Sequence, residues 1–328
     1  MTKAETARQY RLREGNDMPT LKLARILYNE NKLLFKNIEE ARWVLRSIEN
    51  KTGSKQAILV ENARTEPRPL NPYKLPESDA KDKKPYKIVG YKRALIIADL
   101  HIPYHDIKAI SLCFDYAVKE KPDLIIINGD LIDCYQLSRF VRNPNNRNFA
   151  SELECMKKFF ESLQNTFPKA KIVYKFGNHE LRYEHFLYTK AKELDGVEEI
   201  EFKNIIQARA KGIDLVDDKT IIMLNKLPIV HGHEFGKSVF NPVNTARGLF
   251  LRGIHTCLQS HTHRPSKHSE PNMFKKKIVT WSLGCLCGLY PDYAIMNKWE
   301  HGFAMVDLDE NKINFEVRLK DISEGKVF

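Results

Sequence analysis

The sequence predicts an α/β fold, and three observations carry that expectation. Five apolar, β-branched runs recur after residue 93: Ala94–Ala98, Leu124–Ile127, Ile172–Phe176, Leu227–Val230 and Ile254–Leu258. Runs of this length and type read as strands buried on both faces. Helical patterns separate the first three runs, so strands and helices alternate as they do where helices cover a sheet. Each run is followed closely by a short block of polar residues: Asp99-Leu100-His101, Gly129-Asp130-Leu131-Ile132-Asp133, Gly177-Asn178-His179-Glu180, His231-Gly232-His233 and His261-Thr262-His263. Strand ends on one edge of a sheet are where residues far apart in the chain converge on a single point.

Taken in order, the first expected element is an amphipathic helix over Thr20–Asn31, with Leu21, Leu23, Ala24, Ile26 and Leu27 as its apolar residues. Asn37 suits the cap of a second helix, with Glu40 at the capping-box position, and Gly53 follows its end. Two helices bearing Arg25, Arg42 and Arg46 are compatible with a helix-turn-helix, and equally with an ordinary helical hairpin. From Glu61 to Gly90 the chain turns to Pro, Lys, Asn, Asp and Ser, and Pro67, Pro69, Pro72, Pro76 and Pro85 break any regular element. The expected organisation is a basic helical segment over 1–55, a linker over 56–90 and a catalytic domain over 91–328. Within that domain Lys108–Glu120 and Ser151–Phe167 read as helices, the second capped by Ser151 with Glu154 at N3. After Gly196 strands take over: Ile221–Leu224, Leu227–Val230, Lys277–Trp281, Phe303–Leu308 and Ile313–Leu319.

Composition narrows the class. At 328 residues the chain is long enough for one large core and a small appendage. No apolar run approaches the roughly 20 residues of a membrane span, and the charged stretch Met1–Asp17 has no hydrophobic centre of the secretory kind. Six scattered cysteines without a C-x-x-C pair suit buried free thiols in a reducing cytoplasm. The net charge of +11 is unevenly spread: residues 1–93 hold 21 Lys+Arg against 12 Asp+Glu, and the rest hold 32 against 30. A basic leading segment beside a nearly neutral domain suits contact with nucleic acid, or a lysine-rich solvated face.

The polar blocks have metal-site chemistry. Asp99 and His101 are two residues apart, so both can point to one side of a strand end. Gly129 permits a sharp turn that swings Asp130 inward, and a carboxylate has two oxygens to share between two ions. Asn178 offers a neutral amide oxygen after Gly177. His261 and His263 repeat the two-residue spacing, so each can serve a different ion. Carboxylate, imidazole and carboxamide donors suit manganese, iron or zinc. Paired ions roughly 3.5–4 Å apart clamp both oxygens of an in-line displacement.

In this order, D-x-H, G-D-x-x-D, G-N-H-E, H-G-H and H-x-H resemble the calcineurin-like metallophosphoesterase superfamily, over Arg93 to the C-terminus. Stretches such as Leu137-Ser138-Arg139-Phe140 are similar to phage-type members with a helical N-terminal segment. The resemblance implies a four-layer α-β-β-α sandwich of two mixed sheets. It implies two divalent ions, manganese first and iron or zinc next. Asp99, His101, Asp130 and His263 would hold one; Asp130, Asn178, His231 and His261 would hold the other. It further implies that His179, oriented by Asp133, protonates the leaving oxygen while a metal-bridging hydroxide attacks phosphorus. A phage-encoded member would work in the host cytoplasm.

The chain departs from the family pattern in three places. Ser260 stands where the last block usually opens with glycine. Cys134-Tyr135 stands where the protein phosphatase branch has Arg-Gly, so another arginine must grip phosphate. Arg182, two residues after Glu180, is the first choice; Arg139 and Arg142 lie in the loop after Asp133. Only 65 residues follow His263, too few for the DNA-capping domain of the repair nucleases. His233 reads as a rim residue beside the ligand His231, Glu180 as a support for backbone donors, and Trp281 and Trp299 as packing. The expected activity is a phosphoesterase acting on nucleic-acid or nucleotide diesters. The alternatives are a phosphomonoesterase, or a DNA-binding protein with a vestigial site.

Overall fold

A computed structural model of the chain describes residues 2–15, 18–49, 73–78, 80, 82–139, 148–208, 211–236, 243–291, 294–309 and 314–328. The chain divides into two compact units, Met1–Lys81 and Asp82–Phe328.

Among its described residues the leading unit has three helices where two were expected: α1 (Lys3–Glu14), α2 (Thr20–Glu30) and α3 (Ile38–Ile48). The first escaped the hydrophobic pattern because it buries only Thr6 and Ala7. Its signal is polar: Thr2 and Glu5 form a reciprocal capping box, each side chain accepting the other's backbone N–H. Asn37 caps α3 by accepting from Glu40 N at 2.8 Å. The Glu40 carboxylate reaches one residue past the expected partner and accepts from Lys36 N. Leu23, Ala24 and Leu27 of α2 pack with Ala41, Val44 and Leu45 of α3, Ala7 and Phe35. Lys3–Glu40 and Arg11–Glu49 ion pairs lace α1 to the end regions of α3.

The larger unit is a sandwich of two mixed sheets. One runs in the order β13 (Lys326–Val327), β12 (Phe315–Ser323), β11 (His301–Leu308), β2 (Arg93–Ile97), β3 (Leu124–Asn128), β4 (Lys171–Lys175), β5 (Asp214–Val216). Strands β2 to β5 are parallel, and β11 to β13 continue the sheet antiparallel. The other sheet runs β1 (Tyr86–Ile88), β6 (Ile222–Leu224), β7 (Leu227–Ile229), β8 (Cys257–Gln259), β10 (Lys277–Ser282), β9 (Ser266–Pro271), with β7, β8 and β10 parallel.

Alternation along β2 and β3 explains the layering. Leu95, Ile97, Ile125 and Ile127 pack with Cys113 and Ala117 of the helix Ile107–Glu120 and with Met156, Phe160 and Leu163 of the helix Phe149–Thr166. Ala94, Ile96, Leu124 and Ile126 face the other way, against Ile222, Leu224, Leu227, Ile229 and Leu258 of the second sheet. Both faces are apolar, which is why these strands read as unbroken hydrophobic runs. Each fully buried Leu or Ile contributes roughly 1.5–3 kcal/mol. The helix Thr245–Gly253 packs on β8, β9 and β10 as the outer layer of the second sheet.

Three expectations shift. Ile254–Leu258 is mostly not a strand: Ile254 ends the preceding helix in a left-handed conformation, 73% exposed, and β8 begins at Cys257. Asn148, not Ser151, caps the helix over 149–166, accepting from Ser151 N. Tyr86–Ile88, inside the span expected as linker, pairs with β6 as an edge strand. The linker up to residue 72, and Arg142 with the rest of 140–147, lie outside the described residues.

Candidate metal centre

β2, β3 and β4 are parallel neighbours in one sheet, and β7 and β8 are parallel neighbours in the other. All five end at the same edge of the sandwich. The segments beyond them stay paired: Asp99 N donates to Gly129 O, His101 N to Asp130 O and Ile102 N to Leu131 O. Within this pairing the chain adopts backbone that L-residues seldom enter. Asp99, His101, Asp130, His261 and His263 all have positive φ, between 49° and 67°. Each such residue costs on the order of 1–3 kcal/mol unless its surroundings hold it there, and such strain clusters at functional sites. Five of the seven expected ligands share it, and no glycine announces it.

The side chains converge. His231 Nε2 is 3.3 Å from Asp130 Oδ2, and His263 Nε2 is 3.3 Å from Asp99 Oδ1. His101 Nε2 lies 3.2 Å from His263 Nε2 and 4.0 Å from Asp130 Oδ2. The other Asp99 oxygen accepts from His261 N at 2.9 Å. Asn178 sits between Gly177 and His179, and His179 N donates to Asp130 Oδ1 at 2.9 Å. Asp130, His231 and His261 have potential donor atoms within 4.8 Å of one another.

Two glycines make this approach possible. A Cβ on Gly129, which has φ +90°, would lie 2.2 Å from His231 Nδ1. A Cβ on Gly177 would lie 2.2 Å from Asp130 Oδ1 and 2.9 Å from His231 Nε2. Gly177 has no positive φ, and its need is for space.

A second set of residues holds the first. The Glu180 carboxylate accepts from Gly177 N, Leu131 N and Asp130 N and from the Tyr174 hydroxyl, the backbone support expected of it. Ser260, the departure from glycine, uses its hydroxyl: Oγ donates to Asn128 O and lies 3.1 Å from His231 Nδ1. His231 Nδ1 also faces Asn128 O at 2.7 Å, which fixes a proton there and turns the Nε2 lone pair inward. Sequence reading missed Lys175. Its buried ammonium donates to the carbonyls of Asp217, Asp218 and Thr220 and pairs with Glu234 at 3.1 Å. Glu234 in turn accepts from His231 N and Gly232 N. A lysine in a strand run was the only available hint.

The donor set fits divalent cations. Asp99 Oδ1, Asn178 Oδ1, His231 Nε2 and His261 Nδ1 are buried and accept no hydrogen bond. Orphaned acceptors of this kind are costly in a protein interior unless a cation meets them. Burial would push His231 down, but without a cation the Asp130 carboxylate outweighs it and raises the ring to about 9, so a cation at Nε2 would displace a proton. Burial likewise opposes His263, and Asp99 raises it to about 10. His261 is pushed down to about 4, by burial first and then by His231, so it presents a neutral ring. Asp130 is held well below the carboxylate range by the histidines around it, against its burial.

His179 also approaches Asp130 and His101 closely enough to count among possible ligands. Its ring nitrogens are otherwise engaged: Nδ1 lies 2.9 Å from Asp133 Oδ1, and Nε2 lies 2.9 Å from Arg182 Nη2. Asp133 Oδ1 is also 3.0 Å from His101 Nδ1, so one carboxylate orients both rings. Arg182, expected at the phosphate, is half-buried here and holds Asp133 O and His179. Arg139 is exposed. His233 lies beside Asp218 and Glu234, next to the expected ligand His231. Trp281 is in the core between the sheets, and the Trp299 ring meets His263 edge-on at 4.1 Å. Cys287, expected as a buried thiol, lies 4.0 Å from His263 Nδ1.

A family model described as calcineurin-like phosphoesterase matches residues 92–281, which includes every expected ligand. The Gene 54 protein of Mycobacterium phage L5 is 27% identical over 240 residues, covering 69% of this chain and 92% of the phage protein. Its counterpart from Mycobacterium phage D29 is 24% identical over 241 residues with the same coverage. Among solved structures, vacuolar protein sorting 29 from Cryptosporidium parvum is similar with a TM-score of 0.39 and 15% identity, over 73% of this chain and 95% of that one. YfcE, a phosphoesterase from E. coli, is similar with a TM-score of 0.33 and 14% identity, over 69% and 98%. At those TM-scores neither structure says what this chain does.

Proposed function

This chain belongs to the calcineurin-like phosphoesterase family, and from that premise we propose that it hydrolyses phosphodiesters of nucleic acid or nucleotides at a two-cation centre. The observation that carries the two-cation reading is Asp130. One of its oxygens faces His231 at 3.3 Å and His101 at 4.0 Å, so it stands between two sets of ligands. Asp99, His101 and His263 would form the set on one side; Asn178, His231 and His261 would form the set on the other. Divalent cations, when bound, polarise the ester and activate water for in-line attack. Manganese suits the mixed oxygen and imidazole donors, with iron or zinc as the next candidates.

The chain's own groups would do the rest. His179 faces the centre through Nε2 and would protonate the leaving oxygen. Asp133 would keep its ring in place through Nδ1. Arg182 and Arg139 are the proposed phosphate contacts. The preference for polymeric diesters is supported by the leading unit. There Glu14, Glu30, Glu39, Glu40 and Glu49 are all in ion pairs, whereas Lys22, Arg25 and Lys32 are in none among the described residues. Cations left over after pairing are available to phosphates. No helix among the described residues is long and apolar enough to cross a membrane. The phage relatives support a place of action in a host cytoplasm.

The test is hydrolysis of bis-p-nitrophenyl phosphate, p-nitrophenyl phosphate, and single- and double-stranded DNA, with manganese restored after chelation. Faster diester than monoester hydrolysis is expected. The reverse order would make the protein a phosphomonoesterase, and no hydrolysis of any substrate would leave a binding protein with a vestigial site.

A further inference from the structure

Two neighbours compete for the one His179 atom that catalysis needs. His179 Nδ1 faces two acceptors, Asp133 Oδ1 at 2.9 Å and the Asp133 carbonyl at 3.0 Å, so Nδ1 carries a proton. His179 Nε2 faces Arg182 Nη2 at 2.9 Å. A guanidinium only donates, so Nε2 must supply a lone pair to this bond. An imidazole whose Nε2 lone pair is used in this way has no proton there to hand to a leaving oxygen. The observed contact and the proposed role of His179 therefore exclude each other in a single arrangement.

We propose that Arg182 is an exchange gate: it rests on His179 Nε2 and moves to a non-bridging oxygen of the substrate phosphate, leaving Nε2 open. The proposal rests on the phosphoesterase reading above. Three observations support the movement. Arg182 is the second residue of the helix Leu181–Lys190, so its backbone is anchored while rotation about its long side chain can re-aim the head. Its side chain keeps 22% exposure in a buried neighbourhood. Its other amino group holds Asp133, with Nη1 2.9 Å from the carbonyl and 3.5 Å from Oδ2, which tethers the head near the centre during the exchange. A phosphate oxygen is the stronger acceptor, because it carries negative charge to meet the guanidinium and offers two oxygens to its fork, whereas the imidazole nitrogen is a single neutral acceptor. Substrate thus draws Arg182 away and leaves Nε2 open towards the leaving oxygen.

The experiment is calorimetric titration of the manganese-loaded protein with inorganic phosphate. Removing the competing bond should tighten phosphate binding, so His179→Ala is expected to bind it roughly 2–10-fold more tightly than wild type. His179→Phe fills the ring's space without a lone pair and should behave the same way. Arg182→Met should bind phosphate about 10-fold more weakly or worse, with Arg182→Lys between it and wild type, because a bond to an ionised group is lost. The gain from His179→Ala should vanish in the Arg182→Met background. Equal affinity in His179→Ala, His179→Phe and wild type would overturn the exchange, as would unchanged affinity in Arg182→Met. An inactive wild type that shows the predicted order of affinities would reject the phosphoesterase reading and leave the exchange standing.

Discussion

Gly177→Ala adds one methyl group to the tightest point of the centre. The new Cβ would lie 2.2 Å from Asp130 Oδ1, 2.7 Å from Asp130 N and 2.9 Å from His231 Nε2. Ordinary contact begins at 3.4 Å, so the carboxylate must retreat by about 1.2 Å. Asp130 Oδ1 accepts from His179 N at 2.9 Å, so a retreat of that size breaks the bond. The backbone nitrogen of Asp130 cannot move easily, because Glu180 holds it and its neighbour Leu131 N. Overpacking of this kind costs about 1–3 kcal/mol. In a unit of this size that is roughly 2–4 °C of melting temperature per kcal/mol. The larger effect is on chemistry, since a 1 Å misplacement costs about 10²-fold in rate. The assay pairs metal content after dialysis with the hydrolysis rate of a small diester and with thermal unfolding of the metal-free protein. The expected result is fewer than two ions per chain, a rate down by about two orders of magnitude, and a modest loss of stability without metal. Full occupancy with an unchanged rate would refute the claim that Asp130 has no room to move.

Three further outcomes are expected. Asp130→Asn should lower occupancy of both ions together and abolish metal-dependent turnover; loss of one ion alone, by metal analysis, would assign the bridge elsewhere. Glu152 is fully buried, and burial first, then the nearby Asp133, raises its carboxyl to about 8 from the ordinary 4.5. The folded chain therefore keeps a proton that the unfolded chain loses, and stability present below 4.5 is lost as pH rises towards 8. Glu152→Gln should remove that dependence, so urea unfolding without metal should favour the variant by up to a few kcal/mol more at pH 8 than at pH 5; parallel pH profiles would contradict this. A chain beginning at Asp82, which keeps the edge strand Tyr86–Ile88, should hydrolyse a small diester normally but bind DNA more weakly and with a flatter salt dependence. Equal DNA binding by the two folded chains at every salt concentration would remove the leading unit from nucleic-acid recognition.

Much of the site was readable because its information is local. Five strand runs each end in a polar block, and a strand end must deliver its next residues to one edge. What could not be read depends on tertiary context. Nothing in Asp99 or His263 signals left-handed backbone, because the conformation is imposed by pairing with segments far away in sequence. Lys175 looked like a strand residue, and only the folded chain brings Glu234 and three carbonyls to its ammonium. Ile254 is apolar and β-branched and so mimicked a strand start, although it is exposed at a helix end. The helix Lys3–Glu14 was invisible to a hydrophobic pattern because ion pairs and a cap, with little apolar surface, tie it down.

The centre draws its side chains from both layers of the sandwich: β2, β3 and β4 on one side, β7 and β8 on the other. Apart from the apolar filling, the described bonds spanning this end include Asn128 Nδ2 to Val230 O and to Ser260 Oγ, and His261 N to Asp99. A cation gripped by Asp130 and His231 would then also be a clasp between the two layers. Loading and stripping it should change how often that end of the sandwich gapes. Amide exchange would record this as protection gained along the last residues of β3 and β7 when metal is added, with the far ends of the same strands unaffected.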